Sequence, residues 1–148
     1  MNKIYFAAPL FSKAEQDFNL LVTRVFERKG YKVFLPQRDG YEAAELHDKS
    51  ADEKTKMIFE KDISEIKKSD IFVMVLDGRV PDDGTCVELG FAYATGKRCY
   101  GIKTDSRSLE LGLDLNPLIA GCFKKIFNNH NWDELFWELT LFLDSQSL

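Results

Sequence analysis

The sequence has no apolar run of transmembrane length, which excludes a membrane-spanning helix. Its start passes straight into Lys3-Ile-Tyr-Phe-Ala-Ala8, without the basic opening and apolar centre of a secretory signal. A soluble, cytoplasmic protein is expected. A basic stripe is missing as well: 20 Lys and Arg stand against 24 Asp and Glu, for a net charge of −4. That balance argues against a nucleic acid polymer as the main partner, yet leaves room for a small ligand held by local groups. Cysteine is scarce, and Cys86, Cys99 and Cys122 form no CxxC or Cys/His spacing. Free, buried thiols are expected rather than a metal site. Two phosphate signatures are also absent. No GxGxxG follows the first strand and no GxxxxGK[ST] occurs, so neither a Rossmann dinucleotide site nor a P-loop is expected. There is no internal repeat, linker or low-complexity tract.

What remains is an ordinary globular composition, 45% hydrophobic and 13% aromatic over 148 residues, and one domain with a full core is expected. Strand and helix patterns alternate. Lys3–Ala8 reads as a buried strand, and Phe18, Leu21, Val22, Val25 and Phe26 recur at helical spacing from Ser12 to Lys29, with Gly30 ending the helix. Tyr31–Leu35 is a second strand stopped by Pro36. Residues 37–51 are polar with weak periodicity and read as a long loop holding one helical turn. A helix over 51–68, a strand Ile71–Leu76, a helix to Gly96 and a strand Lys97–Lys103 follow. A loop with a short helix around Leu115–Ala120, a strand Phe123–Phe127 and an amphipathic helix Trp132–Leu143 complete the chain. This rhythm predicts a flavodoxin-like three-layer α/β/α fold with a five-stranded parallel sheet. On the last helix, Trp132, Phe136, Trp137 and Phe142 read as core or subunit interface. His47 and His130 lie in polar contexts and read as surface residues.

The chain is organised around Val80-Pro-Asp-Asp-Gly-Thr-Cys-Val-Glu-Leu-Gly90, which follows the third strand and opens a helix. Thr85 is read as its N-cap, which puts Glu88 at N3, in reach of a capping box. The same stretch gathers Asp82, Asp83 and Glu88 at the carboxyl end of a strand, where open α/β sheets bind ligands. A helix start favours an ionised Glu88. Asp62 lies inside the apolar arc of Ile58, Phe59, Ile63 and Ile66. An acid there is either partnered as a structural group or pushed toward protonation as a site acid. One acid held neutral and one held as an anion is the pattern of glycosidic-bond chemistry with a carboxylate nucleophile. Tyr5 shares a strand face with Ala7 and packs in the core or reaches the crevice to fix Glu88. Phe11 either packs or stacks on a planar base.

Three motifs in order resemble the nucleoside 2-deoxyribosyltransferase family: Lys3-Ile-Tyr-Phe-Ala-Ala-Pro-Leu-Phe11, Glu60-Lys-Asp-Ile-Ser-Glu-Ile66 and Asp82-Asp-Gly-Thr-Cys-Val-Glu-Leu-Gly90. The likeness runs over nearly the whole chain, and D-x-G-T-x-x-E-x-G is its most specific part. The resemblance implies cofactor-free, ping-pong transfer of 2-deoxyribose between nucleobases, a reaction of deoxyribonucleoside salvage. It implies that Glu88 is the nucleophile and that Tyr5 orients it. Asp62 and Asp82 would bind the sugar or manage the proton of the departing base, with Asp82 the preferred donor. Phe11 and Gln37 would meet the base, and Asp83 and Gly84 would line the substrate site. Asn116 would be lent to a neighbouring subunit, so the resemblance implies a homo-oligomer, dimers or hexamers, with shared sites. Ser145-Gln-Ser-Leu148 lacks the terminal tyrosine of some members. Two other readings compete: an N-glycosidase of deoxynucleosides or their 5′-monophosphates with water as acceptor, and a non-catalytic nucleotide-binding module.

Overall fold

In the computed structural model, which describes residues 2–107 and 113–145, five strands form one parallel sheet in the order β2-β1-β3-β4-β5. They are β1 (Lys3–Ala7), β2 (Lys32–Phe34), β3 (Ile71–Val75), β4 (Arg98–Lys103) and β5 (Lys125–Asn128). This is the flavodoxin-like order, whose chain reversal falls between β1 and β3. Every residue of β3, and Ile4 to Ala7 of β1, is buried, as expected of strands covered on both faces. Ile4 sits opposite Val33 on one side and Ile71 on the other.

Helices α1 (Lys13–Arg28) and α7 (Trp132–Ser145) cover one face; α4 (Ala51–Lys67) and α5 (Asp83–Ala94) cover the other. The period-2 alternation of β1 divides its side chains: Ile4 and Phe6 enter the first core, Tyr5 and Ala7 the second. α1 begins with a capping box in which Glu15 N–H donates to Ser12 Oγ at 3.2 Å and Ser12 N–H donates to the Glu15 carboxylate at 2.7 Å. It ends before Gly30, whose φ of +86° suits the left-handed turn after a helix. On α7 the buried residues Leu135, Leu139 and Leu143 repeat every four positions.

Several boundaries differ from expectation for identifiable reasons. Residues 37–51 hold two short helices rather than one turn, α2 (Pro36–Asp39) and α3 (Ala43–Leu46). Pro36 does not merely stop β2; it starts α2, where its fixed φ and missing N–H are tolerated. β5 starts at Lys125 instead of Phe123, because Phe123 N–H still closes the turn of α6 (Pro117–Ala120) onto Ala120 O at 3.2 Å. Pairing with β4 begins at Tyr100↔Lys125. Of the aromatics expected in the core or at a subunit interface, Trp137 is 65% exposed within one chain, opposite the leucine row, and so is not a core residue. Trp132, by contrast, lies against Phe18, with ring centroids 4.8 Å apart. The segment 146–148, where the resemblance departs at the C-terminus, lies outside the described residues.

Candidate active site

Tyr5 is fully buried and stacks between Phe34 and Phe72, at centroid distances of 5.4 and 5.8 Å. This sandwich fixes the ring and aims the phenol from mid-strand toward the gap between α4 and α5. There its hydroxyl donates to Glu88 Oε1 at 2.6 Å. Glu88 Oε2 accepts no hydrogen bond from the described residues. Burial pushes the Glu88 carboxyl up to about 7; the Tyr5 hydrogen bond opposes the shift, and the negative charges of Asp62 and Asp82 add to it. The phenol itself is pushed far above its ordinary value, by burial first and then by Glu88 and Asp62. It stays neutral and acts as a donor.

Asp62, on α4, is the next acid near that hydroxyl. Burial raises its pKa, offset in part by the Tyr5 hydroxyl and by Lys61, and Glu65 adds to the rise. The predicted apolar arc around Asp62 is only half covered. Ile66 is buried, whereas Ile58 and Phe59 are 43% and 60% exposed. The 17 residues of α4 run ~25 Å, while the five of β3 cover only ~17 Å, so the start of the helix overhangs the sheet.

The N-terminus of α5 departs from expectation in a way that alters the electrostatics. Asp82, not Thr85, is the N-cap: Thr85 N–H donates to Asp82 Oδ2 at 2.9 Å. Thr85 is already inside the first turn, its hydroxyl donating back to Asp82 O at 2.9 Å. Glu88 therefore sits in the second turn rather than at N3, beyond the reach of a capping box, and desolvation outweighs the helix dipole. Both Glu88 and Asp62 are shifted upward, so the helix start does not single out Glu88 as a favoured anion, and burial retains a proton between the two acids more readily than on free carboxylates. Asp83 is exposed, its Oδ1 accepting from Gly84 N–H at 2.7 Å. A Cβ on Gly84 would come within 3.3 Å of the capping oxygen of Asp82, which suits a glycine in this turn.

Beside Asp62 lies a cavity of about 170 Å³ whose apolar walls come from Leu10, Pro36, Leu46 and Ile58. Its polar side is Asp62 itself with Tyr41 and Lys61. Leu10, Tyr41 and Lys61 went unnoticed in the sequence, where an isolated lysine on a polar helix face carries no signal. Phe11 is 78% exposed and does not line this cavity; Leu10 takes that place. Gln37 is held by the fold: its Oε1 accepts from Asn19 Nδ2 at 2.8 Å and its Nε2 donates to Gln16 O at 3.0 Å. Asn116 caps α6 by accepting from Leu118 N–H at 2.9 Å. It lines a separate cavity of about 200 Å³ with Leu76, Arg79, Cys86 and Lys103. Within one chain, the structure thus brings Tyr5, Glu88 and Asp62 together with Asp82 at their edge, and leaves Phe11, Gln37 and Asn116 outside.

His47 and His130 are on the surface. All three thiols are free; Cys99 is buried, and Cys86 and Cys122 are partly so. Among the described residues, no group of three or more His, Cys, Asp or Glu is arranged to hold a metal ion, and no helix is long and apolar enough to cross a membrane.

Comparison with known proteins gives this geometry a family. The model of the nucleoside 2-deoxyribosyltransferase family matches residues 4–131. A 2-deoxyribosyltransferase from Bacillus psychrosaccharolyticus is 25% identical, with 90% of each chain covered and a TM-score of 0.72. A conserved protein from Enterococcus faecalis V583 is 30% identical over 95% of this chain and 98% of its own, with a TM-score of 0.75. The CMP N-glycosidase of Clostridium botulinum shares the fold, with 18% identity, 93% and 97% coverage and a TM-score of 0.60. No match was found among curated proteins. The chain belongs to the nucleoside 2-deoxyribosyltransferase family, whose members are enzymes acting on nucleosides and nucleobases.

Proposed function

We propose that the protein transfers 2-deoxyribose between nucleobases through an ester of the sugar with Glu88. The observation that carries this reading is the 2.6 Å hydrogen bond from a buried, neutral Tyr5 to a carboxyl poised near pH 7. Oε1 is held by the phenol, which leaves Oε2 to attack C1′. An anion freed of water and aimed at C1′ stabilises the positive charge that develops there and then collapses onto it.

As the C1′–N bond breaks, the leaving base needs a proton. Asp62 supplies it when the proton that burial retains between the two acids rests there and Glu88 is ionised: its carboxyl lines the cavity and interacts with the Tyr5 hydroxyl that holds Glu88. This replaces the preference for Asp82, one of whose oxygens is committed to the helix cap. In the second half-reaction another base attacks C1′, returns a proton to Asp62 and releases Glu88 as carboxylate. Two inversions give net retention. Asn116, which is remote from the acids within one chain, fits a role in a neighbouring copy's site and hence a homo-oligomer.

The test is base exchange with purine and pyrimidine 2′-deoxynucleosides as donors. Transfer predicts that a new nucleoside forms only when an acceptor base is present, and that Glu88→Ala abolishes it while the fold persists. Free sugar released at the same rate with and without acceptor would instead identify a hydrolase. Tight binding of nucleosides without turnover would identify a binding module.

A further inference from the structure

The cavity beside Asp62 carries an unusual pair of neighbours. Lys61 and Asp62 both face it, on consecutive positions of α4. The Lys61 ammonium lies 4.3 Å from the centroid of the Tyr41 ring and makes no hydrogen bond with the described residues. Its two acidic neighbours are otherwise engaged. Asp39 accepts from Arg38 and from Leu35 N–H, and Asp62 belongs to the Tyr5–Glu88 cluster. Tyr41 thus holds a cation whose three N–H donors remain available to a ligand. An ammonium can only donate, and so does the protonated carboxyl that acts on a leaving base.

We infer that Lys61 and Asp62 together read the base and select 6-oxopurine over 6-aminopurine 2-deoxynucleosides. This rests on the transferase reading. Two donors facing one cavity complement two neighbouring acceptors, and a 6-oxopurine presents N7 and O6 in that arrangement. A 6-aminopurine presents N7 beside an amine, which sets donor against donor at Lys61. In the transfer, the Asp62 proton passes to N7 as the C1′–N9 bond breaks and the C1′–Oε2 bond forms. The base leaves neutral, and Lys61 supports the electron density that moves toward O6. Lys61 is a specificity-determining residue, since the proton still comes from Asp62.

The experiment compares kcat/KM for 2′-deoxyinosine and 2′-deoxyadenosine with one acceptor base, for the wild type, Lys61→Met and Lys61→Arg. The expected result is a preference for 2′-deoxyinosine on the order of ten- to hundredfold, the range of one correct base-edge pair. Lys61→Met narrows that ratio toward unity, and Lys61→Arg keeps it, which also guards against a folding defect. Equal use of both donors by the wild type, or an equal loss with both in Lys61→Met, overturns the inference. Mass spectrometry of Glu88 separates this failure from a deeper one. Sugar trapped from 2′-deoxyuridine but from neither purine donor overturns the inference alone, whereas no sugar trapped from any donor overturns the transferase reading with it.

Discussion

The two faces of the sheet are built from the same strands and come to opposite ends. On the α1/α7 face, Ile4, Phe6, Val73 and Ile102 meet Val22, Phe26, Leu135 and Leu139, and Glu15, Asp77 and Asp105 line a cavity at its edge rather than its centre. On the α4/α5 face, β1 contributes Tyr5, and the helices above it bring Asp62 and Glu88 over the phenol. Helices with leucine and valine at their inward positions close one face like any protein interior. Helices with acids at theirs leave a gap in which charge is costly and therefore reactive. The half of the core left unfinished is the half that holds the acids.

The largest effect expected is from Glu88→Gln, which keeps shape and removes the proposed nucleophile. Exchange should fall by at least about a thousandfold, as is usual for loss of a group that forms the covalent bond. Stability should move the other way. The Glu88 pKa is raised in the folded state, so its contribution is fully present below the ordinary value of 4.5 and is lost as pH rises through about 7. Thermal melts should show the wild type losing stability across that window more steeply than the variant does. Parallel curves would mean that Glu88 is not desolvated.

Asp62→Asn should lower transfer by roughly a hundred- to ten-thousandfold with ordinary bases. The loss should be much smaller with a base analogue acidic enough to leave unprotonated. An equal loss with both kinds of leaving group would show that Asp62 positions the substrate and does not deliver the proton.

Phe6→Ala probes the closed face. Deleting a fully buried phenylalanine should cost about 3–5 kcal/mol in denaturant titrations, while the folded fraction keeps its kcat. A specific loss of activity there would break the division between the two faces. The neighbouring change, Tyr5→Phe, should do the reverse. It keeps the stack with Phe34 and Phe72, so stability changes little. Losing the hydrogen bond that lowers the Glu88 pKa should move the acid limb of the pH–rate profile to higher pH, with the largest rate deficit below pH 7. A pH limb that does not move would contradict the role given to the phenol.

Most of this division was legible in the sequence because it rests on periodicity. Alternation in Lys3–Ala7 put Tyr5 and Phe6 on opposite sides, and helical spacing put Asp62 among apolar neighbours. The block from Asp82 to Gly90 marked the site, and its resemblance paired Tyr5 with Glu88. What was not legible depends on choices between near-equivalent groups. Asp82 and Thr85 are both good caps, and a three-residue shift of the helix start changes whether the dipole or desolvation governs Glu88. Gln37 looked free to meet a base because its hydrogen bonds run to α1, eighteen and twenty-one residues away in the chain. The cavity beside Asp62 was invisible because it assembles Leu10, Pro36, Tyr41, Leu46 and Lys61 from separate elements.

The most direct measurement is an acid quench of the protein during turnover with a 2′-deoxynucleoside and no acceptor, followed by peptide mass spectrometry. A 2-deoxyribosyl adduct on Glu88, lost when an acceptor base is added before the quench, is the predicted result. An unmodified Glu88 during rapid exchange, or the sugar attached at another residue, would contradict the account.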